Sequence, residues 1–389
     1  MKIIILTPAI PLPFGNTAAR WFYVLIKELL LKNNKVVLFN ISEDSEDDVK
    51  KSFELLSAFS SQSNFTLKHF KYSKSNYILR KIRSFAEPFS EAKYADGVGE
   101  TLRREMEDGY DILHIEQLWT GWLGLNNPKA LLNIHHFEII DWEDKKLKTW
   151  RERKTLLQMK RATKKILKGN INIRVFTERL YNKAVQINPN ARYWTVPFSL
   201  YLSLYPLQPF VREPIVGLFG SMHWEPTRSA AIRLLTRIWP LIKEKMPDAK
   251  LFIAGWNADK YLLKYMPMED VTLEENLNHP TDFFSKVAVM VYAPSKGSGF
   301  KVKVLESMAY GVPVVTTWEG VEGLDYENGK HCFVEESDEM IAEKVVVLLK
   351  SIDLRNLVRM EARELLQTKY LPYETVKNII NIYEVMLDA

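Results

Sequence analysis

The chain contains a single cysteine, Cys332, in 389 residues. That excludes an internal disulfide and any cysteine-rich metal site, and it suits a reducing compartment. Long apolar runs are also missing, and none reaches the ~18 residues that a bilayer span requires. The chain opens MKIIILTPAI, where the apolar run covers only Ile3 to Leu6 before a proline-rich loop. This reads as a first strand, because a secretory leader would carry a longer apolar core. There is no low-complexity segment, no short-period repeat and no Asp-rich metal cluster. The expected location is cytoplasmic, and any membrane contact is expected to be peripheral, on the inner face.

What is present describes a globular protein: 47% hydrophobic, 26% charged and 12% aromatic residues, a balance that disfavours extensive disorder. The length favours two domains of roughly 200 residues. Net charge is only +5, yet Asp144 to Lys168 carries eleven Lys or Arg against two acids, so the rest of the chain sums to −4. A second basic stretch, Lys68 to Arg83, holds six Lys or Arg and no acid, interleaved with Phe70, Tyr72 and Tyr77. Segments 68–83 and 144–168 therefore suit an anionic bilayer surface or a polyanionic acceptor, with a solvated helix face as the plain alternative. No recognisable nucleic-acid module accompanies them, and nucleic acid is not an expected partner.

Strands and helices alternate along the first half. KIIILT (Lys2 to Thr7) is the continuous apolar run of a strand covered on both faces. A helix follows with Asn16 or Thr17 as N-cap, then KVVLFNI, DILHIE, ALLNIHHFE, NIRVFT and RYWTV. Pro197 to Pro214 contains four prolines and reads as a hinge or linker. A second series starts at IVGLFG and runs through KLFIAG, VTL, VAVMVYA and PVVTT. The expected fold class is α/β, with two doubly wound Rossmann-like domains expected to face each other across a cleft. The expected division is 1–205 and 206–370, with helix 371–389 packing back on the N-terminal domain. Ligands of such sheets bind beyond the carboxyl ends of strands, which singles out the loops Ala9 to Asn16, His135 to Glu138, Gly220 to Glu225, Gly255 to Asn257 and Pro294 to Gly299.

The most informative stretch is GSGFKVKVLESMAYGVPVV, Gly297 to Val315. Glycines in the turn let backbone amides approach a ligand closely, and a helix beginning near Phe300 aims its free amides and dipole at the same place. Lys303 and Glu306 lie one turn apart on that helix, and Gly311 ends it. A cation near the turn and an acid deeper in suit a nucleotide diphosphate, the lysine on phosphate and the acid on ribose hydroxyls. A surface ion pair at i,i+3 is the competing reading.

Together with GVEGL (Gly320 to Leu324), LFGSMHWEPT (Leu218 to Thr227) and HHFE (His135 to Glu138), this stretch resembles the nucleotide-sugar motifs of retaining GT-B glycosyltransferases, glycosyltransferase family 4, in a bacterial subgroup with a Gly-Ser-Gly turn. The resemblance implies transfer of a sugar, with retention and without a metal or cofactor, from a nucleotide-sugar substrate to a glycan or lipid-linked glycan. The expected donor is a UDP-sugar. It implies that Lys303 stabilises the departing diphosphate, that Glu306 binds ribose and that His135, with His136 as rival, stands near the donor sugar. Gly15 and Asn16 would approach phosphate or acceptor. Gly220, Ser221 and Met222 would lie beneath the diphosphate, with Gly297, Ser298, Gly299 and Phe300 in the donor turn. One departure stands out: Ser298 occupies the position of the family's first acid, which binds a sugar hydroxyl. Arg228 is the nearest candidate for a second phosphate cation, and Trp224 and Trp256 read as packing residues. Two alternatives use the same architecture, a non-catalytic partner subunit and a nucleotide-sugar epimerase.

Overall fold

A computed structural model describes residues 1–60, 64–73, 85–142, 149–266, 268–277 and 279–388. The chain forms two compact units, Met1–Leu200 with Pro372–Ala389, and Tyr201–Leu371. The strands of the first are β1 (Lys2–Thr7), β2 (Lys35–Ile41), β3 (Phe65–Phe70), β4 (Ile112–Glu116), β5 (Ala130–Ile134), β6 (Asn172–Val175) and β7 (Arg192–Thr195). They form one parallel sheet in the order β3-β2-β1-β4-β5-β6-β7. Ile3, Ile4, Ile5 and Leu6 of β1 are fully buried, as a central strand with both faces covered demands. The order reverses between β1 and β4, so the loops leaving these strands flank the switch point where doubly wound sheets bind ligands.

Helices α1 (Thr17–Leu31), α2 (Glu46–Ser57), α3 (Val98–Glu107), α4 (Trp150–Gly169) and α5 (Glu178–Ile187) cover this sheet. Asn16 caps α1, its side-chain oxygen accepting from the Ala19 amide at 2.9 Å. The strand β3 was not legible in the sequence, which showed there only the start of a basic stretch. It lies at the sheet edge, half-buried, and Lys68 and Lys71 are ion-paired to Glu105 (2.7 Å) and Glu46 (3.0 Å). The described part of segment 68–83 is therefore largely neutralised; residues 74–83, and 144–148 of the other segment, lie outside the described residues.

The second unit has a six-stranded parallel sheet in the order β10-β9-β8-β11-β12-β13. Its strands are β8 (Ile215–Phe219), β9 (Lys250–Ala254), β10 (Val271–Glu274), β11 (Val289–Tyr292), β12 (Val314–Thr316) and β13 (Phe333–Val334). Its switch point falls between β8 and β11. Around it lie α6 (Glu225–Arg233), α7 (Val302–Tyr310), α8 (Asp338–Lys350) and α9 (Ile352–Lys369). The proline-rich connection is held against α9: Arg355, Arg359 and Arg363 donate to the carbonyls of Val211 (2.8 Å), Gln208 (2.7 Å) and Tyr205 (3.1 Å).

The last helix, α10 (Pro372–Leu387), belongs to the first unit and packs on α1. Val376, Ile379, Ile382, Tyr383 and Met386 are among its buried residues. Ile379→Ala should lower the stability of the first unit by about 2–5 kcal/mol, the usual range for a fully buried isoleucine. Urea unfolding would read this as a lower midpoint with unchanged slope; an unshifted midpoint would mean that the helix adds nothing to that core.

Candidate functional site

In the second unit the loops leaving β8, β9 and β11 come together around Lys303. Gly220 (φ +144°) and Gly255 (φ +136°) adopt conformations that L side chains avoid. A Cβ on Gly255 would sit 2.2 Å from the Gly220 carbonyl oxygen, and one on Gly220 would sit 2.3 Å from Lys303 Cε and 2.9 Å from its Nζ. Bare backbone at Gly220 is thus what lets the lysine side chain cross the loop. The amides of Gly220 and Met222 donate to the carbonyls of Ala254 (3.0 Å) and Trp256 (2.9 Å), and Met222 is fully buried beside the half-buried Ser221. Arg228 donates to the Met222 carbonyl (3.3 Å) and stacks on Tyr261 at 4.6 Å, so it braces the same loop.

The glycine turn at 297–299 is built in the same way. Gly297 (φ +149°) and Gly299 (φ +83°) hold positive φ, and a Cβ on Gly297 would press on Pro226 at 3.0 Å. Ser298 is buried between them. The helix α7 starts at Val302, two residues later than the sequence suggested, and no side chain caps its first turn. Gly311 closes it in the left-handed conformation. Phe300 packs against Tyr370, ring centroids 6.1 Å apart. Glu306 is only 5% exposed and Lys303 is half-buried, which rules out an ordinary solvent-facing ion pair. Sequence reasoning missed Lys301 and Glu322. The Lys301 ammonium donates to the Gly299 carbonyl at 2.5 Å and lies 3.6 Å from Glu322, a buried brace for the turn.

In the first unit, β4, β5 and β6 end in a polar row. Glu116 pairs in register with Asn133, and Asn133 with Arg174, so the three side chains share one face of the sheet. All three are fully buried. Glu116 Oε2 lies 2.5 Å from His135 Nε2, while Oε1 takes a hydrogen bond from Trp21 Nε1 (2.9 Å) and lies 2.8 Å from His114 Nε2. Arg174 donates to Asn133 Oδ1 (3.1 Å) and the Val196 carbonyl (2.8 Å), sandwiched between Trp21 and Phe176 at 4.6 and 4.3 Å. The adjacent loop splits its two histidines: His136 faces Glu138 at 3.3 Å, and Glu138 also accepts from Trp119 (2.8 Å). Gly15 (φ +87°) and Asn16 stand exposed at the start of α1, the latter engaged as the helix cap.

Residues 213–351 match the family model of Glycosyl transferases group 1. The second unit therefore contains a domain of that type. A stretch of 116 residues, 28% of the chain, is 28% identical to an uncharacterized glycosyltransferase of Haemophilus influenzae and spans about a third (33%) of that relative's length. Over the whole chain the fold is similar to a sucrose-phosphate synthase from Thermosynechococcus elongatus (TM-score 0.70, 16% identity, 100% and 99% of the two chains). It is also similar to HepE from Anabaena, solved in complex with UDP and glucose (TM-score 0.67, 12% identity, 99% and 100%). Two parallel-sheet Rossmann-like units of the GT-B type are thus established as the fold. Within this glycosyltransferase-like frame the structure brings Gly220, Gly297 and Lys303 into one neighbourhood and places His135, Gly15 and Asn16 in the first unit. Glu116, His114, Arg174 and Tyr383 were not read as site residues. The signal was available: DILHIE ends an apolar strand on a histidine and an acid two apart, hence on one face.

Burial would push the Glu116 carboxyl up, but the His135 and His114 rings outweigh it and hold the group well below the usual carboxylate range. Burial moves His135 the other way for a base, below its ordinary value, only partly countered by Glu116 and reinforced by His136 and Arg174. Both folded values are depressed, so in both cases the unfolded chain takes up a proton first on acidification. The stability contributed is complete above the unfolded values, about 6.5 for histidine and 4.3 for glutamate, and is lost as pH falls through the folded ones. Unfolding midpoints of the first unit should therefore drop below about pH 6.5, and His135→Gln should flatten that limb. Midpoints that rise from pH 7 to 5 would mean that the ring is protonated in the fold.

Proposed function

We propose that the protein is a glycosyltransferase that moves a sugar from a nucleotide-sugar, with UDP as the nucleotide, to a glycan or lipid-linked glycan acceptor. The observation that carries this reading is the Lys303 side chain laid across Gly220 in the neighbourhood of the glycine turn and the uncapped start of α7, within the stretch matched to glycosyl transferases. Breaking a sugar–phosphate bond builds positive charge on the sugar and negative charge on the diphosphate, so preorganised cationic and amide donors at the phosphates are the largest demand. Lys303 and the first amides of α7 supply them. The buried Glu306 accepts the ribose hydroxyls, and a hexose is the unit transferred. Retention follows if the leaving phosphate takes the acceptor proton on the face it vacates. Support for UDP comes from HepE, which was solved with UDP and glucose.

Lys303→Ala should lower turnover by at least ~10²-fold, the scale of one lost transition-state donor. UDP at 100 times its dissociation constant should stabilise the wild type by ~2.7 kcal/mol, read as a raised melting point. GDP, ADP and CMP serve as controls. Full turnover in the variant, or no stabilisation by any nucleotide, would overturn the reading.

We further propose that α4 meets an anionic bilayer. Arg151, Arg153, Lys154, Lys160, Arg161, Lys164, Lys165 and Lys168 are all exposed on it. Beside them Trp150 is 74% and Leu157 62% exposed, while Met159, Ala162, Ile166 and Leu167 face the unit's core. An apolar tip among cations suits interfacial binding, and a lipid-linked acceptor would be presented there. Co-sedimentation with phosphatidylglycerol vesicles should be strong at low salt and weak at 0.5 M; equal binding to neutral vesicles would exclude the electrostatic attachment.

A further inference from the structure

We propose that a cavity in the second unit, between the connection Tyr205 to Val211 and α9, binds one small anion of chloride's size through the Nε–H groups of Arg355 and Arg359. The cavity measures about 220 Å³ with its mouth, and its walls include Phe210, Ala288, Gly311, Val312 and the two arginines. Ala288 precedes β11 and Val312 precedes β12, so the cavity lies at the amino ends of these strands. Gly220 and Gly255 follow β8 and β9, which puts the Lys303 neighbourhood at the other end of the same sheet.

The donors are present and their acceptors are not. Arg355 and Arg359 are 1% and 6% exposed, one turn apart on α9. Each gives one Nη bond to the connection, to the Val211 carbonyl (2.8 Å) and the Gln208 carbonyl (2.7 Å), while both Nε atoms are buried without a hydrogen-bond partner. Arg359 Nε faces the bare Cα of Gly311, where a Cβ would sit 3.3 Å from it. The last carbonyls of α7 are already engaged: Ala309 accepts from Arg363, Tyr310 from the Gln208 amide, and Ser307 and Met308 from the amides of Val312 and Gly311. Among the described residues no carboxylate pairs with Arg355, Arg359 or Arg363. Burial lowers all three from their ordinary value, and Arg363 lowers Arg359 further, with no acid acting the other way.

A buried cation is costly to leave without an opposite charge, and the carboxyl end of α7 offers these guanidiniums only a partial one. A water in the cavity would accept from the two Nε–H groups, but it would bring two hydrogens that need acceptors and no charge. An anion accepts from both and neutralises part of the excess. Its size is set by the inner cavity, which admits one water-sized body, so a monatomic anion fits where a tetrahedral oxyanion does not. Once bound, it links the connection, through the arginines that hold it, to the amino ends of β11 and β12.

Bromide reports the site directly, because it substitutes for chloride and scatters anomalously. Crystals of the full wild-type chain grown in sodium bromide should show an anomalous peak within hydrogen-bonding reach of Nε of both Arg355 and Arg359. In solution, the ³⁵Cl linewidth of sodium chloride should show a saturable excess over buffer when the protein is added. Arg359→Gln should abolish that excess, and Arg355→Met should do the same. Lys303→Ala, which removes the cation at the other end of the sheet, should keep it, so that binding there is told apart from binding here. If neither arginine variant folds, the bromide peak in the wild type decides alone. A water or no density between the arginines, or a linewidth excess that disappears in Lys303→Ala and survives in the arginine variants, would overturn the proposal. None of these outcomes depends on sugar transfer.

Discussion

The first unit is organised by one buried charge. Taking a carboxylate fully out of water costs several kcal/mol unless its oxygens are met by donors and its charge by a cation. Glu116 is met by Trp21 from α1, His114 from its own strand and His135 from the loop after β5, with Arg174 supplying the opposite charge from β6. Burial lowers Arg174 to about 10, still far above neutrality, so the guanidinium stays charged. Each donor in turn needs fixing, which draws in Asn133, the Val196 carbonyl and Tyr383. One acid at the end of β4 thereby ties polar atoms of three strands, β4, β5 and β6, and the helices α1 and α10 into one arrangement.

The second unit solves a different problem, the close approach of backbone to a cationic side chain, and it does so by leaving side chains out. Gly255 and Gly220 occupy positions where a Cβ would collide with backbone or with Lys303, and one on Gly297 would press on Pro226. Lys301 and Glu322 then brace the turn from within. A network of paired buried groups fixes a ring to within its hydrogen bonds, whereas bare glycines let a loop backbone and the Lys303 side chain come within contact distance of each other.

How much of this was legible depended on whether the signal was local. The strands β1, β4, β8 and β11 announce themselves as apolar runs, and glycines with helix caps mark the loops, because these effects act within a few residues. The edge strand β3 did not, since FTLKHF is half-exposed and its Lys68 reads as surface charge until Glu105 arrives from α3. On the C-terminal helix Ile382 and Met386 are buried, whereas the equally apolar Leu387 is 44% exposed. The phase of an apolar stripe on a short helix is set by what it packs against. Beyond the His114 and Glu116 pair in DILHIE, the network was out of reach for the same reason: its members come from residues 21, 114, 116, 133, 135, 174 and 383, and only the sheet register and α10 bring them together.

The proline-rich connection shows how an apparent linker becomes structure. Prolines 206 and 209 have no amide hydrogen, so this stretch cannot join a sheet, and its carbonyls would be left without donors once covered. Three arginines spaced four apart on α9 meet the carbonyls of Tyr205, Gln208 and Val211, spaced three apart, and Phe210 stacks on two of them at 4.9 and 5.6 Å. The two runs go in opposite directions. Arg355 and Arg359 are almost completely buried without a carboxylate in that set, and burial lowers both from their ordinary value. Backbone dipoles meet those charges. The segment from Tyr205 to Val211 is consequently tied to the second unit, with Tyr205 and Gln208 buried.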